Sequence, residues 1–174
     1  MNRISRYSSS TNEDVESYYQ AGLEDNPSSI RLSVQYINYL LQGYSDKRPE
    51  DNFSESNVRQ VFVNAYENTE WDLSGNCEIW DKWRDWEESI VKNSTTPENI
   101  NRLQQFYLAR LKIPHVNHAD TFSAYSTFVT TFDNSQYETH MVAANKEYQK
   151  GRSIWEEYDQ WETAIVCLFF RIFE

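Results

Sequence analysis

Few residues in this 174-residue chain have types and spacings that could do chemistry. His115 and His118 in "HVNHAD", with Asp120 just beyond, form the one cluster with metal-ligand character. A zinc site needs three or four well-placed donors, and the remaining histidine, His140, is distant in sequence. No metal site is therefore assigned. Glu87–Glu88 and Glu156–Glu157 are adjacent carboxylates. Neighbours on a helix point about 100° apart, so neither pair is a preorganised acid–base dyad. Each is expected to split into one seam residue and one solvated residue. Cys77 and Cys167 match no metal spacing and read as free thiols of a reducing compartment. There is no glycine-rich phosphate loop, nucleophile elbow or Cys–His arrangement. The chain reads as non-enzymatic, with no catalytic residue, cofactor or metal.

Aromatic residues are the other candidates, at 16% of the chain. "IWDKWRDWEESIV", residues 79–91, returns as "IWEEYDQWETAIV", residues 154–166, with six of thirteen positions identical. Positions i, i+3 and i+6 cover an arc of about 120° on a helix. Trp80, Trp83 and Trp86 thus share one face, and so do Trp155, Tyr158 and Trp161. Glu87 and Glu162 fall within those faces, where a carboxylate needs a hydrogen-bonded or cationic partner. A base-stacking platform would come with a basic groove, whereas the formal net charge is −11. Packing between repeats is the better reading.

The elements that carry these faces read as helices throughout. Thr11 or Asn12 can cap a first helix that ends before Pro27. A second runs through Ile30, Val34, Ile37, Leu40 and Leu41, with Pro27 in its first turn and Gly43 at its end. Ser54 or Ser56 caps a third, and the tryptophan helix begins after Gly75. A capping Thr with Pro97 opens the next, which Pro114 closes. The Thr- and Ser-rich "NHADTFSAYSTFVTTF" follows as a weaker helix former. The stretch from Asn134 to Glu174 is either one long helix or two meeting near Gly151. No run alternates with period two, so the chain is all-α.

Weaker echoes of the aromatic triplet complete a series. Phe122, Tyr125 and Phe128 repeat it, with Val129 at the Glu position. Tyr36 and Tyr39 echo its last two members, with Ser33 first and Leu40 at the Glu position. First positions at 33, 80, 122 and 155 give periods that indicate stacked helical hairpins.

With these motifs the sequence resembles the HAT family, the half-a-tetratricopeptide repeats of RNA-processing proteins. "WDKWRDWE" and "WEEYDQWE" match the family's first helix. "VRQVFVNAYENT" and "LQQFYLARLKIP" match its second, with Phe62, Ala65, Tyr107, Leu111 and Pro114 in corresponding places. Asn64 occupies the usual arginine place and Arg110 lies one position late. The arginine partner for Glu87 is therefore not where the family puts it. "WEESIV" followed by "FYLARLKIPHVNHADTFSAYSTFV" is most similar to the amino-terminal HAT array of the spliceosomal U4/U6 recycling factors, the T-cell-recognised tumour antigen and its fungal relatives.

The resemblance implies a right-handed superhelical α-α solenoid of HAT/TPR-like hairpins with about seven to eight helices. It would occupy residues 11–174 after a flexible 1–10, as part of a longer array. It further implies a nuclear scaffold for protein partners in an RNA-processing complex, most similar to U4/U6 assembly, with RNA association indirect or through segments outside this sequence. The terminal "AIVCLFFRIFE" is far short of the ~20 apolar residues that span a bilayer, so no membrane partner is expected. Its apolar helix is expected to self-associate.

Overall fold

The computed structural model describes residues 12–172, with side chains from 15 to 168. The expected flexible segment 1–10 and the cap at Thr11 or Asn12 lie outside the described residues and side chains. Among the described residues the chain forms seven α-helices, two short 3-10 turns and no strand. It divides into two compact units that meet between Trp83 and Arg84.

The first unit holds α1 (Asn12–Asp25), α2 (Ile30–Ser45), α3 (Glu55–Asn68) and the start of α4 (Cys77–Asn93). Ser29 caps α2 by accepting the Leu32 amide at 3.4 Å, and Ser54 caps α3 by accepting that of Asn57 at 3.3 Å. The helical face of α2 buries Val34, Ile37 and Leu40. Phe53, Val58, Phe62 and Ala65 complete this core. Each fully buried large apolar side chain contributes about 1.5–3 kcal/mol. Glu16 ties three segments together: it accepts from Tyr36 Oη at 2.9 Å, Asn52 Nδ2 at 2.5 Å and Gln20 Nε2 at 3.1 Å.

Two sequence expectations change here. Pro27 lies in the turn before α2, because the chain must still turn through Asn26–Ser29 before Ser29 can cap. Gly43 does not end α2 but sits buried inside it. A Cβ there would come within 2.1 Å of the Phe53 ring, so the bare backbone is what lets that ring pack.

The second unit holds the rest of α4, then α5 (Pro97–Leu111), α6 (His118–Phe132) and α7 (Tyr137–Ile172). Thr96 caps α5 by accepting the Asn99 amide at 3.2 Å, with Pro97 as its first residue. The threonines of α6 do not break it. Thr127, Thr130 and Thr131 each donate to the carbonyl four residues back, at 2.8–3.1 Å, which consumes their competing hydroxyls. Leu103, Tyr107 and Leu111 of α5 are fully buried, with Tyr125 and Val129 of α6 and Ala144 of α7. Tyr107 lies 5.8 Å from Tyr125 and 5.7 Å from Phe128, ring to ring. His140 anchors the start of α7. Its Nε2–H donates to the Asp133 carboxylate at 2.8 Å, which leaves Nδ1 to accept from Gln104 at 2.8 Å.

α7 is one continuous helix through Gly151, so of the two readings left open the long helix is the one that forms. Gly151 is buried: a Cβ there would meet the His118 ring at 2.7 Å and the Leu111 carbonyl at 2.8 Å. The glycine serves close packing, not a break.

Candidate functional site

In α4 the 100° step per residue turns the aromatic face inward as the spacing requires. Trp80 and Trp86 are buried, as are Ile79, Ile90 and Val91. Trp83 is half-buried, stacked on Phe62 at 5.8 Å with Tyr66 edge-on at 6.2 Å. Glu87 is only 2% exposed and receives Arg102 Nε at 3.3 Å. The cation that balances the seam carboxylate thus comes from the middle of α5. The usual arginine place holds Asn64 in one repeat, Arg110 lies one position late in the other, and Arg102 carries no local signature that would have singled it out. Arg110 is itself buried, at 2% exposure.

Glu88 differs from its expected solvated role. It is half-buried, accepts the Tyr107 hydroxyl at 2.5 Å and holds Lys92 at 3.1 Å. Burial, followed by this bond to Glu88, raises the Tyr107 phenol well above its usual range. Adjacent carboxylates therefore meet different donors, and they share no proton. Tyr107 and Leu111, named from sequence, are fully buried, and Pro114 is half-buried.

His115 and His118 pack edge to face at 4.5 Å, and both are buried. The Nδ1–H of His115 donates to the Ile113 carbonyl at 2.7 Å, and its Nε2 lies 2.8 Å from Thr121 Oγ1. His118 Nε2–H donates to the Leu111 carbonyl at 2.9 Å. Burial, with the Arg110 charge nearby, pushes His115 down to about 3 and so keeps it neutral. His118 is shifted down as well, again chiefly by burial. Asp120 is exposed. Among the described residues no group of three or more His, Cys, Asp or Glu is placed to hold a metal ion. These histidines tie the α5–α6 turn together and receive Tyr148 of α7, whose ring stacks on His118 at 5.0 Å. Cys77 is buried and Cys167 exposed, both as free thiols.

The α6 echo is in register. Tyr125 and Phe128 are buried and Phe122 is half-buried, 4.7 Å from Tyr148. The second full copy, in the distal half of α7, presents its face outward. Trp155 is half-buried, but Tyr158, Trp161 and Glu162 are exposed, Trp161 at 66%. Tyr158 Oη donates to Glu162 at 3.2 Å along the helix. A further concavity lies within the first unit, a cleft of about 350 Å³ lined by amides, including Gln20, Asn57, Gln60 and Asn64, with Leu23 and Val61. Among the described residues no helix is long and apolar enough to cross a membrane. What these elements present is helix surface suited to contact.

Comparison with known families matches the chain to the family described as the PRP39 N-terminal HAT repeat, over residues 4–128. It takes in the buried copy of the motif and ends at Phe128, ahead of α7. No curated protein and no solved structure matches.

Proposed function

We propose a function from the premise that this chain belongs to the PRP39 N-terminal HAT-repeat family, an all-α helical-repeat scaffold fold. It is a non-enzymatic scaffold that makes protein–protein contacts in RNA processing, specifically pre-mRNA splicing, and it works in the nucleus. The family match carries this reading. The closed aromatic face of α4 supports it: a face filled by Trp80, Trp86 and the Glu87–Arg102 pair is structural, which leaves the outer helix surfaces for partners. The net charge of −11 favours contact with proteins over contact with RNA phosphates, so RNA association is indirect.

Within splicing, a U4/U6 assembly or recycling role rests on the likeness of "WEESIV" and "FYLARLKIPHVNHADTFSAYSTFV" to those factors. The family that matches bears the PRP39 name instead, which favours a splicing role without that restriction. The other readings are a HAT scaffold of messenger RNA 3′-end formation or ribosomal RNA maturation, and a helical protein-interaction module unrelated to RNA. Affinity purification from cells, with mass spectrometry and small-RNA sequencing, tests all of them. Enrichment of spliceosomal proteins is expected, and U4 with U6 RNA among the enriched species would select the recycling role. Enrichment of 3′-end or ribosomal RNA maturation factors without spliceosomal proteins overturns the splicing reading.

A further inference from the structure

The cleft of the first unit opens where the repeat lacks an aromatic. Ser33 stands at the position that Trp80, Phe122 and Trp155 hold in the other copies, and Trp80 is buried there. α1 and α3 form the walls of the cleft, and α2, with the buried Ser33 and Tyr36, forms its floor. Ser33 is 1% exposed, and its Oγ has no hydrogen-bond partner among the described residues. A buried hydroxyl is ordinarily paired, so this one is left for a group that enters the cleft.

Five of the twelve described residues that line the cleft carry carboxamides, against 24 of 174 in the chain, so the amides are concentrated here. On α3, Asn57, Gln60, Asn64 and Asn68 fall within an arc of about 80°. The last three stand four residues apart, about 6 Å along the axis. One edge of an extended chain repeats every two residues, at roughly 6.6–6.8 Å, which is close to that spacing. Gln60 Nε2 donates to Asn64 Oδ1 at 2.9 Å, which leaves Gln60 Oε1 to accept and Asn64 Nδ2 to donate. Such a row pairs with backbone N–H and C=O groups, whatever side chains they carry. A helix, whose backbone groups bond internally, has none to offer along its length. Glu24 is the one ionised residue in the described lining, which disfavours anionic ligands such as nucleic acid.

We propose that this cleft binds an extended, uncharged or basic segment of a partner protein, with an aromatic side chain entering over Ser33 and one backbone edge held by Gln60, Asn64 and Asn68. The ring supplies what the first repeat omits, and Leu23, Val61 and Ala65 give it apolar contact. This rests on the scaffold reading and gives it a specific surface and a stated kind of partner.

The probe is a synthetic heptapeptide of serine and threonine with tryptophan at its centre, titrated into the nitrogen-15-labelled 174-residue chain and followed by NMR. Saturable shifts of the side-chain amide signals of Gln60, Asn64 and Asn68 are expected by about 1 mM peptide. Gln60→Ala with Asn64→Ala, both at exposed positions, should weaken binding at least tenfold at an unchanged melting temperature. Methylating the peptide nitrogens that flank the tryptophan should do the same, and aspartate at the centre should abolish binding. Ser33→Trp, which supplies the ring from within, should abolish binding and leave the melting temperature at or above the wild-type value. Absence of saturable shifts, shifts confined to other residues, or binding indifferent to the methylated backbone overturns the proposal. A lowered melting temperature in Ser33→Trp also overturns it, because the cleft then has no room for a ring over Ser33. None of these failures touches copurification with splicing components, so the two readings fall separately.

Discussion

Residues 79–91 and 154–166 share six identities and the same helical register, yet one copy faces a core and the other faces water. Trp86 is 6% exposed and its counterpart Trp161 is 66% exposed. Glu87 is paired with Arg102 on another helix, whereas Glu162 accepts from Tyr158 of its own helix. The difference teaches that an aromatic–acid face is an instruction to be covered, and that a neighbouring helix has to carry it out. α5 lies against the first copy's carboxylates, whereas the second copy is exposed apart from the half-buried Trp155.

That contrast can be broken most directly at the paired tryptophans. Trp86→Ala should cost about 3–5 kcal/mol, the range for truncating a buried large aromatic, and Trp161→Ala should stay within about 0.5 kcal/mol. Chemical denaturation of the two variants measures this, and equal losses would mean that the second copy is buried too. Next come the carboxylates. Glu87→Gln removes a charged acceptor from a buried pair and should cost about 1.5–3 kcal/mol, while Glu162→Gln should be neutral. Equal tolerance of both would dismiss the embedded-carboxylate assignment.

Acid should act on the covered side of the molecule. His115 is held neutral in the fold down to about 3, whereas in the unfolded chain it takes up a proton below about 6.5. Unfolding therefore binds a proton in that window, so stability is full above pH 6.5 and falls as pH drops toward 3. At pH 5 the loss from His115 is about 2 kcal/mol. Denaturation free energies at pH 7 and pH 5 test it, and His115→Gln should flatten the slope. The smallest effect concerns the middle of α7. Gly151→Ala gains about 1 kcal/mol in helix propensity but drives a methyl into His118 and the Leu111 carbonyl. Overpacking costs more, so a net loss of about 1–2 kcal/mol is expected. A stabilised variant would show that this contact is loose.

Much of the architecture was readable because helix signals are local. Thr96 with Pro97, Ser54, and the start of α4 after Gly75 all appear where capping and turn chemistry place them. The register of the aromatic triplets was equally legible, and Tyr36, Leu40, Tyr125 and Val129 are buried accordingly. The glycines misled because their reason is a contact. Gly43 admits Phe53 and Gly151 admits His118, neither of which neighbours it in sequence. His115 and His118 have the residue types of a metal site, but backbone carbonyls and Thr121 occupy the ring nitrogens that face them.

The sequence by itself determined the all-α class, the starts of α3, α4 and α5, the repeat and its register, and membership in a HAT family. All of these follow from periodicity and short-range hydrogen bonding, which act within one or two turns of chain. Only the tertiary structure decided that Arg102 answers Glu87, that Tyr107 engages Glu88, that α7 runs unbroken past Gly151, and that the second tryptophan face stays open. Those outcomes depend on which atoms arrive from elsewhere in the chain, and two nearly identical stretches can meet different neighbours.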